Sequence, residues 1–345
     1  MVGRGRKGHR GAGRLDRPAL CHCGPGSVAF SLSLNKNFGA LINMASQLPT
    51  AGTYVLVTAA YNEEKYIEQT IQSVAAQTVL PRKWIIVSDA STDRTDEIVQ
   101  KYAERHGFIR LYRITEDHPR NFAAQANAIN TGFAQLKGME YDFIGNLDAD
   151  ISFEPTYFAE LLERLTCNPS LGLAGGYIYE EQGAEFTPRR YNNVRSVAHA
   201  VQLFRRECLD SLQGYVPLPY GGTDWHAGVL VQFKGWQVRS FPELTVFHHR
   251  PGGSAEGRLR AWYRQGLMDF SLGSHPLFEI ARVARRVRSR PYGVAAFVRL
   301  CGFAWAYCRG EERMVSKEFI EYLRRQEIER LRHFVRGKRE MDGAA

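Results

Sequence analysis

The sequence lacks any uninterrupted apolar run of the roughly 20 residues that a membrane-spanning helix requires. Its six cysteines show no paired spacing, which fits a reducing compartment better than a disulfide-stabilised secreted domain. It also has no Gly-x-Gly-x-x-Gly after the first predicted strand, and no Gly-x-x-x-x-Gly-Lys-Ser/Thr motif. These absences argue against the usual dinucleotide-binding fold and against a P-loop as the means of holding phosphate.

Positive charge is concentrated at the two ends of the 345-residue chain. Residues 1–43 carry a net charge of +6 and residues 251–345 a net +8, whereas residues 44–250 carry a net −5. An acidic centre suits a cation site and argues against a nucleic-acid surface along the whole chain. An arginine-rich nucleic-acid-binding protein is therefore only the non-enzymatic alternative, and we expect no nucleic acid as a partner.

Composition and periodicity divide the sequence into three parts. Residues 1–47 are basic and glycine-rich without an apolar period, so we predict a disordered tail. Residues 48–250 alternate between strand and helix patterns and are predicted to form one α/β domain. Residues 251–345 are basic with helical periodicity, which predicts a helical C-terminal extension.

Short β-branched runs alternate with amphipathic stretches in the central part. The runs at 54–58, 84–87 and 142–147 indicate buried parallel strands, and Asn62 is predicted to cap the helix after the first. The alternation predicts a mostly parallel sheet flanked by helices. Ligands bind such sheets beyond the carboxyl ends of the strands, so the candidate site comprises the turns after these three runs.

Asp148 and Asp150 follow the run at 142–147. Side chains two residues apart in an extended chain point the same way, so these two carboxylates would lie close together. Such like charges are unfavourable unless a cation or a proton separates them. A hard divalent ion removes the repulsion and commonly also binds substrate phosphates, so we predict a metal site here rather than a solvated acidic loop.

The chain resembles a family 2 glycosyltransferase with the GT-A fold. Five segments carry the resemblance, in the family's order: 58–64 (Thr-Ala-Ala-Tyr-Asn-Glu-Glu), 87–95 (Val-Ser-Asp-Ala-Ser-Thr-Asp-Arg-Thr), 126–127 (Ala-Asn), 147–150 (Leu-Asp-Ala-Asp) and 221–225 (Gly-Gly-Thr-Asp-Trp). The resemblance implies an inverting hexosyl- or N-acetylhexosaminyl-transferase that uses a nucleotide-diphosphate sugar and Mg²⁺ or Mn²⁺. The implied acceptor is a glycan or lipid-linked molecule, as in the synthesis of cell-envelope polysaccharide.

The resemblance also implies roles for individual residues. Asp224 would be the catalytic base, although Thr223 stands where the family usually has glutamate; an N-cap at Asp224 is the structural alternative. The implied donor-binding residues are Ala60, Tyr61, Glu63, Asp89, Arg120, Asn127 and Asp148. The implied metal ligands are Asp150, Asp148 and His248, with a surface histidine pair as the alternative for the last.

The acceptor and the C-terminal region each leave two possibilities open. A polyprenyl phosphate, already ionised and needing no base, is the second candidate acceptor. The apolar stretch 292–308 follows an arginine-rich run, so it is either an interfacial helix on an anionic membrane surface or a buried helix. The helix predicted over 317–335 is expected to be exposed or to contact a partner. We expect a cytoplasmic protein, attached to the inner face of the plasma membrane if the stretch 292–308 is interfacial.

Overall fold

The computed structural model describes residues 52–116, 121–183, 185–250, 257–286 and 293–342. The predicted tail over 1–47 and Arg120 lie outside these described residues. The strands within them are β1 (Tyr54–Ala60), β2 (Lys83–Asp89), β3 (Ile109–Ile114), β4 (Phe143–Leu147), β5 (Ile151–Phe153), β6 (Leu171–Gln182), β7 (Glu185–Pro188), β8 (Val201–Arg205) and β9 (Gln237–His248). The helices are α1 (Ile67–Ala75), α2 (Thr95–Ala103), α3 (Phe122–Ala134), α4 (Tyr157–Cys167), α5 (Arg206–Leu212), α6 (Thr223–Phe233), α7 (Arg258–Ser271), α8 (Pro276–Arg286), α9 (Val294–Arg309) and α10 (Lys317–Asp342).

The strands form a single sheet in the order β3-β2-β1-β4-β8-β6-β9-β5, with β7 paired to β6. The first four strands are parallel, as their near-continuous apolar sequences and the intervening helices predict. The second half of the sheet is mixed, because β8 runs antiparallel to β4 and β6, while β6 and β9 are parallel. The predicted α/β architecture with flanking helices is confirmed.

Both faces of β1, β2 and β4 are buried. Alternate residues of a strand point to opposite faces. Accordingly Leu56 and Trp84 belong to one apolar cluster, whereas Val55 and Ile85 belong to another. Helices cover the two faces, which leaves the ends of the strands as the part of the sheet that a ligand can reach.

One local expectation is wrong. Asn62 does not cap a helix, because α1 begins only at Ile67. Instead Asn62 has a positive φ of 54°, and its Oδ1 accepts a hydrogen bond from the Thr92 backbone N–H at 2.8 Å. Asparagine tolerates this left-handed conformation, and its side chain is used to join two loops rather than to start a helix.

The helices α7 and α9 cross in close contact. A Cβ atom at Gly266 would lie 2.0 Å from the Arg299 carbonyl oxygen, and one at Gly302 would lie 2.1 Å from the Tyr263 carbonyl oxygen. Arg299, the charge inside the apolar stretch, is only 7% exposed, and its Nε donates to Asp269 at 2.7 Å. One face of this stretch is therefore buried.

The helix α10 packs on α6, which corrects the expectation of an exposed helix. Phe319 and Leu323 are buried against Val229 of α6, and the ring of His226 lies 4.5 Å from that of Phe319. Burial lowers the pKa of His226 to about 4, so this histidine is neutral in the folded protein at neutral pH. Within the described residues, none of the helices is both long and apolar enough to cross a bilayer.

Candidate active site

The carboxyl ends of three parallel strands lie together at one edge of the sheet. Ala60 at the end of β1 is in register with Ser88 of β2, and Val57 of β1 is in register with Asn146 of β4. Asp89 ends β2 and is only 4% exposed. The structure thus brings together the strand ends at which the sequence predicted a site.

Two loops above this edge are joined by backbone-to-side-chain hydrogen bonds. The Asn62 N–H donates to Ser91 Oγ at 3.1 Å, and the Glu63 N–H donates to Thr95 Oγ1 at 2.7 Å. The Glu64 N–H donates to Asp93 Oδ2 at 3.0 Å. These bonds hold the Tyr-Asn-Glu-Glu segment beside the Asp-Ala-Ser-Thr-Asp segment and fix where Glu63 lies.

Asp148 and Asp150 come together through a turn rather than through an extended chain. The turn comprises Ala149 and Asp150, between the end of β4 and the start of β5. The buried hydroxyl of Thr70 in α1 holds this turn, because it lies 2.9 Å from the Ala149 carbonyl oxygen and accepts the Ile151 N–H at 3.1 Å. The prediction that the two carboxylates lie close together was correct, but the extended chain predicted between them was wrong.

His248 reaches the two carboxylates because of strand pairing. It ends β9 and is in antiparallel register with Ile151, the residue directly after Asp150. His248 Nε2 lies 3.4 Å from Asp150 Oδ1. One ligand atom from each of Asp148, Asp150 and His248 lies within 4.8 Å of the other two.

This cluster fits a divalent cation. Asp150 is 7% exposed, and burial, together with the charge of Asp148, raises the pKa of its carboxyl group, while His248 and Arg250 act in the opposite direction. A cation between the carboxylates would remove the repulsion between their negative charges. Two carboxylate oxygens and an imidazole nitrogen are a donor set that suits Mn²⁺, whereas Mg²⁺ prefers oxygen ligands throughout.

Arg250 links the cluster to the loop after β1, a contact that the sequence analysis missed. Its Nε lies 3.2 Å from Asp150 Oδ2, and its guanidinium also forms an ion pair with Glu63. Burial raises the pKa of Glu63 to about 7 although Arg250 lowers it. The only signal in the sequence was a basic residue two positions after His248.

Asp224 lies in the first turn of α6, two residues after Gly222. The helix begins at Thr223 with Gly222 as its N-cap, so the N-cap alternative for Asp224 is wrong. Gly221 and Gly222 have φ values of +90° and +86°, and a Cβ atom at Gly222 would lie 2.9 Å from the sulfur of Met268. Glycine is needed here to start α6 and so to position Asp224.

Asp224 lines two cavities. The first, which we call the Gln125 cavity, has a volume of about 200 Å³ and is also lined by Phe122, Gln125, His199 and Arg264. The second, the Tyr191 cavity, has a volume of about 280 Å³ and is also lined by Arg189, Tyr191, Asn192 and Trp225. A still larger cavity of about 430 Å³, between α3 and α5, contains none of the predicted site residues.

The Gln125 cavity borders the metal cluster. Gln125 Nε2 donates to Asp148 Oδ1 at 3.2 Å, and His199 Nε2 lies 3.9 Å from the same oxygen. Burial raises the pKa of Tyr215, and the charges of Asp224 and Asp148 add to this effect. Asp224 therefore lines the same cavity as Gln125 and His199, the two side chains beside Asp148.

Two other predicted site residues, Tyr61 and Asn127, are exposed. Tyr61 is 43% exposed after β1. Asn127 is exposed on α3, and within the described residues no hydrogen bond from its side chain reaches the cluster; Gln125 of the same helix does so instead. Arg264, from α7, was also missed as a site residue: its guanidinium stacks on Phe122 at 4.1 Å.

Residues 55–222 match the family model described as glycosyl transferase family 2. Poly-beta-1,6-N-acetyl-D-glucosamine synthase of Staphylococcus aureus (strain COL) is 33% identical over 118 residues, which are 34% of this chain and 26% of that protein. The synthase of the same name from Staphylococcus epidermidis is 26% identical over 151 residues, 44% of this chain and 34% of that protein. The chain thus spans about a third or less of the length of these curated relatives.

Two solved structures share the fold. A mannosyltransferase from Pyrobaculum calidifontis, in complex with GDP-Man and Mn²⁺, superposes with a TM-score of 0.50 at 18% identity, covering 79% of this chain and 83% of that one. GalNAc-T7 with UDP, GalNAc and Mn²⁺ superposes with a TM-score of 0.52 at 14% identity, covering 77% and 58%. These likenesses confirm the predicted GT-A fold, and the match to the glycosyl transferase family 2 model covers residues 55–222, just under half of the chain.

Proposed function

We propose that this protein is a metal-dependent, inverting glycosyltransferase. It transfers a sugar from a nucleotide-diphosphate donor to a hydroxyl group of a glycan or lipid-linked acceptor. Mg²⁺ or Mn²⁺ is the cofactor, held by Asp148, Asp150 and His248, and Asp224 is the base. The family match over residues 55–222 supports the class of the reaction.

One observation carries the proposal: Asp224 lies between two cavities, and only one of them borders the metal cluster. A transferase must hold donor and acceptor on opposite sides of the reacting carbon. The Gln125 cavity beside Asp148 suits the donor sugar, with the diphosphate at the metal cluster, and the Tyr191 cavity suits the acceptor. A carboxylate between the two is placed to receive the proton that the acceptor loses.

The proposed step is a single displacement. The acceptor hydroxyl oxygen forms a bond to the anomeric carbon as the bond from that carbon to the diphosphate oxygen breaks. The hydroxyl proton passes to the Asp224 carboxylate, and the nucleoside diphosphate leaves with the bonding electron pair. When bound, the metal offsets the negative charge that develops on this diphosphate. Attack from the opposite face inverts the anomeric centre.

The donor nucleotide is proposed to lie across the ends of β1 and β2. Ala60, Tyr61, Glu63 and Asp89 are at these ends, and Asp148 is beside them at the end of β4. Arg120 and Asn127 complete the proposed donor-binding set. The names of the staphylococcal relatives make UDP-N-acetylglucosamine the first donor to examine.

Donor binding is expected to raise the melting temperature only when metal is present. At a donor concentration about 100-fold above its Kd, binding adds about 2.7 kcal/mol of stability, which corresponds to roughly 5–10 °C for a domain of this size. Thermal-shift measurements with UDP-, GDP- and dTDP-sugars, each with Mn²⁺, Mg²⁺ or EDTA, check this. A melting temperature that no sugar nucleotide changes with either metal would contradict the proposal.

An anionic membrane surface is the further partner that we propose. The outer face of α9 carries apolar and cysteine side chains at spacings of three and four residues, all exposed: Val294, Phe297, Cys301, Trp305 and Cys308. Arg309 stacks on Trp305 at 5.0 Å, and residues 285–290 of the sequence contain four arginines, whereas Arg282 is paired with Asp269, Glu279 and Glu327. An apolar helix face flanked by arginines suits the interface of an anionic leaflet, which supports a peripheral location on the cytoplasmic face.

Replacing both Phe297 and Trp305 by serine in one variant is expected to weaken binding to phosphatidylglycerol vesicles by at least ten-fold. The reason is that each aromatic side chain contributes about 1.5–3 kcal/mol when fully buried. Sedimentation with anionic and neutral vesicles, at low and high salt, measures the effect. Leu80→Ser is the matched control, since Leu80 is 48% exposed outside α9. Equal sedimentation of the double variant and the wild-type protein would refute the proposed surface.

A further inference from the structure

The wall of the Tyr191 cavity is fixed by hydrogen bonds to neighbouring strands. The side chain of Asn192 donates to the Ile178 carbonyl oxygen at 2.8 Å and accepts the Ile178 N–H at 3.1 Å. On the other side of the cavity, Ser240 Oγ donates to the Ser196 carbonyl oxygen at 2.7 Å. The segment between β7 and β8 is therefore attached to both β6 and β9, and the cavity is formed before any ligand binds.

The side chains at this cavity suit a carbohydrate. Tyr191 is 72% exposed at its edge, and Trp225 is half-buried beside Asp224. The C–H face of a sugar ring is apolar and packs on an aromatic ring, whereas its hydroxyls need polar partners. Arg189 supplies such a partner, and its guanidinium is oriented by Glu180, whose Oε1 lies 3.1 Å from its Nε.

The size of the cavity limits how much of an acceptor it can hold. Its volume of about 280 Å³ is just below the range of roughly 300–1,000 Å³ for small-ligand sites. A space of this size accommodates one end of a glycan rather than several sugar units. The rest of a longer acceptor would extend into solvent past Tyr191, which is exposed at the edge of the cavity.

The charge beside the cavity distinguishes between acceptor classes. Asp224 lines it, and a lipid phosphate bound beside Asp224 would place a second negative charge next to that carboxylate, while the positive charge of Arg189 is already paired with Glu180. A neutral sugar hydroxyl meets no such repulsion and can give its proton to Asp224. The polar lining and the carboxylate therefore favour a saccharide over a polyprenyl phosphate.

We infer that the Tyr191 cavity binds the terminal sugar of a glycan acceptor, with the ring stacked on Tyr191 and its hydroxyls bonded by Arg189. The inference rests on the proposed function, because it treats Asp224 as the base of a glycosyl transfer. It adds the class of acceptor and two residues, Arg189 and Tyr191, that neither the sequence motifs nor the metal cluster includes.

Saccharide binding by the full chain tests this inference without catalysis. The protein, with UDP and Mn²⁺, is titrated with β-1,6-linked N-acetylglucosamine trisaccharide and screened on an array of neutral and acidic oligosaccharides, with tryptophan fluorescence and calorimetry as readouts. We expect at least one saccharide to bind. We also expect Tyr191→Ala and Arg189→Ala each to weaken that binding by about ten-fold, because each removes a direct contact with the sugar, and Tyr191→Phe to retain it.

The matched control is Tyr307→Ala, because Tyr307 is 61% exposed on α9, away from the cavity, and its removal should leave saccharide binding unchanged. The inference is overturned if no saccharide binds, if Tyr191→Ala binds as tightly as the wild-type protein, or if Tyr307→Ala is equally weakened. UDP and Mn²⁺ binding, measured without saccharide, separates the two proposals. If the wild-type protein does not bind UDP and Mn²⁺, that result counts against the proposed function. The effect of Tyr191→Ala on saccharide binding concerns the Tyr191 cavity alone.

Discussion

Replacing Asp224 with asparagine is expected to lower the rate of sugar transfer by about 10²-fold or more, while donor binding stays close to that of the wild-type protein. Asparagine keeps the size of the side chain but cannot take up the acceptor proton. The rate of sugar transfer is measured with saturating donor, and donor binding is measured separately by calorimetry with Mn²⁺. The separation is expected because Asp224 is on α6, whereas the metal cluster is built from the turn after β4 and from the end of β9.

Stability is expected to change little in Asp224→Asn. The aspartate lies in the first turn of α6, where a negative charge interacts favourably with the helix dipole by about 0.3–1 kcal/mol. A melting temperature lowered by no more than a few degrees would therefore accompany the loss of turnover. The control is Asp210→Asn, since Asp210 has a largely exposed side chain on α5 and lies outside both Asp224 cavities.

Two results would change the assignment of Asp224. If Asp224→Asn weakens donor binding and leaves no separate loss of turnover, then Asp224 belongs to the donor or metal site. If the variant remains fully active, then no base is required, as expected for the polyprenyl-phosphate alternative, whose acceptor is already ionised. The second result would also argue against the glycan acceptor inferred for the Tyr191 cavity.

Replacing Asp150 with alanine is expected to weaken Mn²⁺-dependent donor binding by about 100-fold or more. Loss of a residue that only supports a metal ligand commonly lowers metal affinity 10–100-fold, and Asp150 is proposed to be a ligand itself. Manganese binding followed by electron paramagnetic resonance, together with calorimetry of the donor with and without metal, measures the effect. Turnover should fall with donor binding, which distinguishes this variant from Asp224→Asn.

The contacts of Asp150 predict that Asp150→Ala still folds. Its carboxylate is buried beside Asp148, so removing it relieves a like-charge repulsion, and Arg250 keeps its ion pair with Glu63. Asp210→Ala again serves as the matched control. Unchanged manganese binding in a folded Asp150→Ala protein would show that the cluster is not the metal site, and the cofactor would have to be assigned elsewhere.

Much of the fold could be predicted from local pattern. The β-branched runs predicted β1, β2 and β4 correctly. The acidic turns after these strands lie at one edge of the sheet, because parallel strands joined by helices end on the same side. The antiparallel pairs in the mixed second half were not foreseen. Its strands pair with partners far away in the sequence, as β4 does with β8, and no local period records such pairing.

The candidate site was predicted in part for the same reason. Asp148, Asp150 and His248 do come together, although Asp150 lies in a turn that Thr70 holds rather than in extended chain. Gln125, whose side chain contacts Asp148, was overlooked in favour of Asn127, two residues along the same helix. Which face of a helix points into a site depends on how that helix packs, so the sequence alone could not choose between them.

The alternation of strands and helices, the acidic strand ends and the glycine pair before α6 are encoded locally, because each depends on neighbouring residues. Contacts between distant segments depend on how the chain packs. Arg250 pairs with Glu63 across 187 residues, and Arg264 of the C-terminal region lines the cavity beside Asp224. The two Asp224 cavities exist only because the sheet order and the packing of α3, α6 and α7 place these segments side by side, and short-range patterns do not encode that arrangement.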